Sequence, residues 1–171
     1  MTEQWEVFDI NRIRTGKVVN RGCHLEMDEF HLIVHVWIKA NEHQYIISKR
    51  SMEKDYAPGL WETPGGCVQL GEISLDAAIR EVKEEIGITL KKENGECLLK
   101  TIGIDSKRHL FIDVWQFVQN VDIKQVKIQK EEVEETKLAT IKEIRTLIQS
   151  NQFMPDCKVY SASLFNEEEE T

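Results

Sequence analysis

Three glutamates close together are the residues best suited to chemistry. Glu81, Glu84 and Glu85 lie three and four positions apart within Ser-Leu-Asp-Ala-Ala-Ile-Arg-Glu-Val-Lys-Glu-Glu-Ile, residues 74–86. At about 3.6 residues per turn, a helix over this stretch puts Leu75, Ala78, Ile79, Val82 and Ile86 on one face, as core. The glutamates then gather on another face, where like charges three and four apart repel. A hard divalent cation relieves that repulsion best, because carboxylate oxygens are its preferred ligands.

The flanking residues suit such a site. Gly65-Gly66 permits a tight turn and close approach to a ligand. Ser74 reads as the helix N-cap, Asp76 suits the first turn, and Gly87 reads as the stop. Glu72 is within reach of Arg80 and would tie the preceding loop to the helix.

Gly66, Glu72 and Arg80-Glu81-Val82-Lys83-Glu84-Glu85-Ile86-Gly87-Ile88 together resemble a complete Nudix box, matching it at every defined position. The resemblance implies an α+β fold, the Nudix-type α/β/α sandwich, with a mixed β-sheet and the Nudix loop-helix. It implies hydrolysis of a diphosphate linkage in a nucleoside diphosphate derivative or related small metabolite. Mg²⁺, with Mn²⁺ as an alternative, would be held by Glu81, Glu85 and Glu84 and by the Gly65 carbonyl. Arg80 and Glu72 support the site, with Glu72 able to reach the metal through water. The general base stays open between Glu84, Glu85 and an acid of the segment containing Glu131, Glu132, Glu134 and Glu135. That segment otherwise reads as a solvated charge run.

The first hundred residues also resemble type 1 isopentenyl-diphosphate isomerase, a branch of the same superfamily. Thr15-Gly16, His24 and His31, Arg50, Lys54, Pro58-Gly59-Leu60-Trp61 and Gln69-Leu70-Gly71-Glu72 carry the likeness. It implies diphosphate binding by Arg50 and Lys54, and metal binding by the two histidines. The departures weigh against isomerase chemistry. The family's reactive cysteine and third histidine are replaced by Gly65 and Cys67, and the later strand offers only Asp113 where a glutamate pair is expected. His35 and His43 read as structural or exposed. An isomerase-like enzyme and a non-catalytic nucleotide-sensing module remain the alternatives to a hydrolase.

The elements that must position these residues follow in order. Strands are expected over 5–10 and 17–20, then 30–40 and 44–50 joined by a turn at 41–43. Further strands are expected over 98–104 and 109–118, with 105–108 as a basic turn over the site, and a second helix over 138–148. The 171 residues read as one domain: an N-terminal β extension (1–29), a core (30–155) and an acidic tail (166–171). The net charge is −8, which disfavours a nucleic-acid polymer as partner. No stretch is long and apolar enough to span a membrane. Cys23, Cys67, Cys97 and Cys157 form no close pair, so neither a disulfide framework nor structural zinc is expected, and the setting reads as cytoplasmic. Many relatives are dimers, so the resemblance leaves a homodimer open without settling the oligomeric state. The downstream cues for ADP-ribose or dinucleoside polyphosphate substrates are missing at 104–106.

Overall fold

The computed structural model describes residues 2–103 and 109–165. The expected basic turn at 105–108 and acidic tail at 166–171 lie outside them. The chain is built on β3 (His31–Lys39), whose residues alternate between two cores. Val34, Val36 and Ile38 point to one side, Trp37 to the other. This is the period-2 pattern of a strand buried on both faces. Helix α1 (Ser74–Ile86) closes the first core with Ala77, Ala78, Val82 and Ile86. Helices α2 (Ile141–Gln149) and α3 (Pro155–Leu164) close the second with Ile144, Ile148, Cys157 and Tyr160. The result is the α/β/α sandwich.

Within the sheet β3 runs parallel to β8 (Leu110–Val118), and β8 pairs antiparallel with β7 (Gly95–Ile102). On its other side β3 has two partners. Its end pairs with β4 (Gln44–Arg50) only at Ile38↔Ile46 and Lys39↔Tyr45. Its beginning pairs with β6 (Gly65–Cys67), from Ile33↔Cys67 to His35↔Gly65. Strand β5 (Trp61–Glu62) pairs with β4, which carries β9 (Val133–Thr140) on its far edge. So β3 and β4 splay apart beyond their hairpin, and the segment from β5 to β6 is wedged between them. A hairpin of β1 (Gln4–Phe8) and β2 (Arg14–Asn20) packs Trp5, Val7, Val19 and Leu25 into a third, small cluster.

Helix α1 keeps its expected bounds, and Gly87 caps it in the left-handed conformation at φ 72°. Ser74 is not the N-cap. Ile73 takes that place without a side-chain bond, and Ser74 Oγ accepts a hydrogen bond from Trp115 Nε1 at 2.7 Å. The helix expected over 138–148 begins at Ile141, after Leu138 and Ala139 have completed β9. Thr140 caps it in a capping box with Glu143. The chain also continues into α3, with Pro155 at its start, where proline's fixed φ and missing N–H are tolerated.

Burial ranks the four free thiols. Cys23 is exposed and Cys157 is fully enclosed. Burial pushes the Cys157 thiol well above its ordinary range and that of Cys67 up to about 12. The thiolate is the reactive species. In the native protein at pH 8 we therefore expect a thiol-specific reagent to modify Cys23 first and Cys157 only after unfolding. Early modification of Cys157, mapped by mass spectrometry, would contradict this packing.

Candidate active site

The splay between β3 and β4 opens a cavity of about 800 Å³. One wall is the glycine loop and α1, contributing Gly65, Gly66, Glu81, Glu84 and Glu85. The facing wall carries Arg50, Lys54, Glu62 and Glu132. The N-terminal hairpin and the loop after it add Trp5, Arg21 and His24 at the rim.

Both glycines are required by close approach. A Cβ on Gly65 would fall 2.0 Å from the Val34 carbonyl oxygen, and one on Gly66 would fall 2.5 Å from the Glu81 carboxyl carbon. The bare backbone therefore lets the Glu81 carboxylate lie against the loop. Gly65 N–H donates to Glu85 Oε2 at 3.2 Å. The loop's register is held by Arg80, whose Nε and Nη2 donate to the two Glu72 oxygens at 2.9 and 3.0 Å. Arg80 Nη2 also donates to the Cys67 carbonyl at 2.9 Å. Arg80 Nη1 reaches Glu81 at 2.8 Å and Glu84 at 3.1 Å. Burial works against the Arg80 charge, but the Glu72 hydrogen bonds and the Glu81 charge outweigh it and hold the pKa above the usual arginine range.

The carboxylates are under electrostatic stress. Burial raises Glu81 to about 7, against the pull of Arg80 and with help from Glu84. Glu85 is pushed well above the carboxylate range by burial, then by Glu62 and Glu81, against the Gly65 N–H. Burial likewise lifts Glu62 to about 7 although Arg50 opposes it. Such a surplus of negative charge on hard oxygen donors is what a divalent ion neutralises. The donor set Glu81, Glu84, Glu85 and the Gly65 carbonyl thus fits such an ion in chemistry. As they stand, the described His, Cys, Asp and Glu side chains form no ready-made ligand set of three. Arg80 lies between Glu81 and Glu84, and Glu85 is turned to the loop.

Both sequence-proposed phosphate ligands line this cavity, each already ion-paired. Arg50 Nη1 meets Glu62 at 2.8 and 3.1 Å, and Lys54 Nζ pairs with Glu132. Glu132 leaves the run read as solvated and joins the wall. Glu62 was missed altogether, although a carboxylate set between Trp61 and Thr63-Pro64 in a short strand is itself a signal. His24 and His31 also line the cavity, with His31 stacked on Trp5 at 4.4 Å. His35 is buried against the Tyr160 hydroxyl at 2.8 Å, while His43 is exposed. Asp113 faces a separate cavity, where Arg12 binds it at 2.7 Å.

A sequence model of the NUDIX domain matches residues 29–157. The chain belongs to the Nudix family. An uncharacterised Nudix hydrolase of Listeria monocytogenes, lmo0368, is 33% identical over 154 residues, covering 90% of this chain and 89% of its own. The isopentenyl-diphosphate isomerase of Escherichia coli is 28% identical over 90 residues, 52% of this chain and 50% of its own. The crystal structure of DR0079 from Deinococcus radiodurans superposes with a TM-score of 0.77 at 16% identity, covering 96% of this chain and all of that one, and confirms the fold. This Nudix hydrolase is therefore similar to the isomerases through part of its length. No helix among its described residues is long and apolar enough to cross a membrane.

The raised carboxylates set the sign of a pH effect. Glu62 and Glu81 titrate near 7 when folded, against about 4.5 when unfolded. Between those values the folded state binds more protons, so metal-free stability falls as pH rises. We expect a loss of about 1–3 kcal/mol between pH 5 and 7.5 in EDTA, measured by urea unfolding. Stability rising across that window would contradict the charge surplus.

Proposed function

We propose that this Nudix pyrophosphohydrolase uses Mg²⁺ to cleave a diphosphate linkage in a nucleoside diphosphate derivative or related small metabolite, in the cytoplasm. The observation that carries the reading is the arrangement of the cavity. An acidic wall built by the box faces Arg50 and Lys54 across a space suited to a small molecule, since ligand sites commonly enclose about 300–1,000 Å³. The four free, separated cysteines support the cytoplasmic setting.

Glu81, Glu84, Glu85 and the Gly65 carbonyl would hold the cation. When bound, it supplies charge neutralisation at the phosphoryl oxygens and a more acidic water. The chain's own part is positioning and electrostatics, as phosphoryl transfer requires. Arg80 keeps Glu81 and Glu84 on the cavity side of α1 and must yield part of its hold when they take up a cation. Arg50 and Lys54 receive the phosphoryl oxygens opposite. Of the four acids in the late segment, Glu132 alone lines the cavity, beside Lys54. That position supports Glu132 as the group that takes the proton from the attacking water, a role Glu84 and Glu85 lose while ligating.

An isomerase reading lacks its reactive cysteine, whose place Gly65 takes. Cys67 lines the cavity, but burial raises its thiol to about 12, leaving almost no thiolate at neutral pH.

The test is a panel of nucleoside diphosphate derivatives, nucleotide sugars and small diphosphates incubated with Mg²⁺ while phosphate release is followed. At least one should turn over, and EDTA should abolish the activity. Glu132→Gln should lower kcat by about 10²–10⁴-fold with KM little changed. Inactivity across the whole panel would count against the reading. Full activity of Glu132→Gln would move the base elsewhere.

A further inference from the structure

The Arg50 guanidinium has five N–H donors in one plane, and their partners can be traced. Nε donates to the Tyr56 carbonyl at 3.0 Å. Nη1 donates to Glu62 Oε2 at 2.8 Å and Oε1 at 3.1 Å. Nη2 makes no hydrogen bond to any described residue, yet it is absent from the buried polar atoms that lack a partner. It is therefore open, and the space that Arg50 borders is the cavity. Two of the three guanidinium nitrogens, Nε and Nη1, are held and fix the plane, and Nη2 is left without a partner among the described residues.

Glu62 suits this holding task. Its side chain is 10% exposed and that of Arg50 15%. Glu62 sits on β5 directly across the ladder from Ser48, two residues before Arg50 on β4. The Tyr56 carbonyl belongs to the loop that joins these two strands. Among the described residues the Lys54 ammonium, on the same loop, pairs with Glu132 alone, and an ammonium is a point charge without a plane. Of the two cations, Arg50 alone has its orientation imposed.

We propose that Glu62 is a positioning residue: with the Tyr56 carbonyl it pins Arg50 so that the two Nη2 N–H groups are presented to a phosphoryl group of the substrate diphosphate. This rests on the diphosphate reading above and adds a residue outside the box to it. Two effects of Glu62 on an anion compete. Its charge repels the anion, and its hold orients the donors. The charge is matched by the guanidinium it binds, so orientation prevails and loss of Glu62 weakens binding.

Imidodiphosphate, a non-hydrolysable diphosphate, is titrated with Mg²⁺ into the full chain by calorimetry, using wild type, Glu62→Gln, Arg50→Ala and the double variant. Arg50→Ala should weaken binding at least tenfold and Glu62→Gln at least fivefold. With Mg²⁺ saturating in every titration, so that the charge of Glu62 beside Glu85 is offset throughout, the double variant should match Arg50→Ala within twofold, because Glu62 acts on the anion through Arg50. Thermal melts check folding. Glu62→Asp, which keeps the charge and shortens the arm, should also weaken binding and serves where the Gln variant is unstable. On a turned-over substrate, KM should rise while kcat stays within twofold. Additive losses, or tighter binding by Glu62→Gln, would overturn the inference while leaving the diphosphate site standing. Failure of the wild type to bind imidodiphosphate would instead bring down the diphosphate reading and this inference with it.

Discussion

Repulsion among buried carboxylates is the constraint on which the rest of the structure depends. Burial already penalises charge here, and Glu62 and Glu81 further raise Glu85, Glu84 raises Glu81, and Glu132 raises Glu62. Burying such groups without compensation is costly. The fold supplies partial compensation from Arg80, Arg50 and the Gly65 N–H, and stops short of full neutrality. The remainder is the surplus that the proposed cation would neutralise. A protein with only structural needs could replace these acids by apolar residues at no loss.

The sheet makes this possible by failing to close. Were β3 and β4 paired along their whole length, no space would separate the glycine loop from Arg50. The wedge from β5 to β6 keeps them apart, and it is itself held by backbone bonds, including Val36 N–H to the Pro64 carbonyl at 2.8 Å. The same wedge carries Glu62 at one end and Gly65-Gly66 at the other. Its few residues thus join the wall that carries Arg50 to the helix that carries the glutamates, and α1, packed by Val82 and Ile86 on the first core, completes the acidic wall.

Much of this was legible in the residues. The spacing of Gly66, Glu72, Arg80 and the glutamates marked the loop and helix because local geometry governs both. The strand β3 was legible from its β-branched run. The misreadings have physical causes. Leu138 shares the apolar spacing of α2, so the boundary between β9 and α2 is visible only through the ladder with β4. The start of α3 was hidden because Pro155 is as good a helix opener as a helix terminator. Ser74 has a capping side chain, but the Trp115 indole binds it from β8, a partner distant in sequence. Glu62 and Glu132 were hidden for the same reason. Their importance comes from Arg50, Lys54 and Glu85 reaching them through tertiary structure, which periodicity along the chain does not record.

The central claim is that the glutamates of α1 form a cation site facing the cavity. It is tested most directly by titrating the metal-free protein with Mn²⁺ and counting free ion by electron paramagnetic resonance. The account predicts saturable binding that Mg²⁺ displaces and that Glu85→Gln weakens at least tenfold, with the variant still folded. Binding that is absent, or that is unchanged in Glu85→Gln, would contradict it.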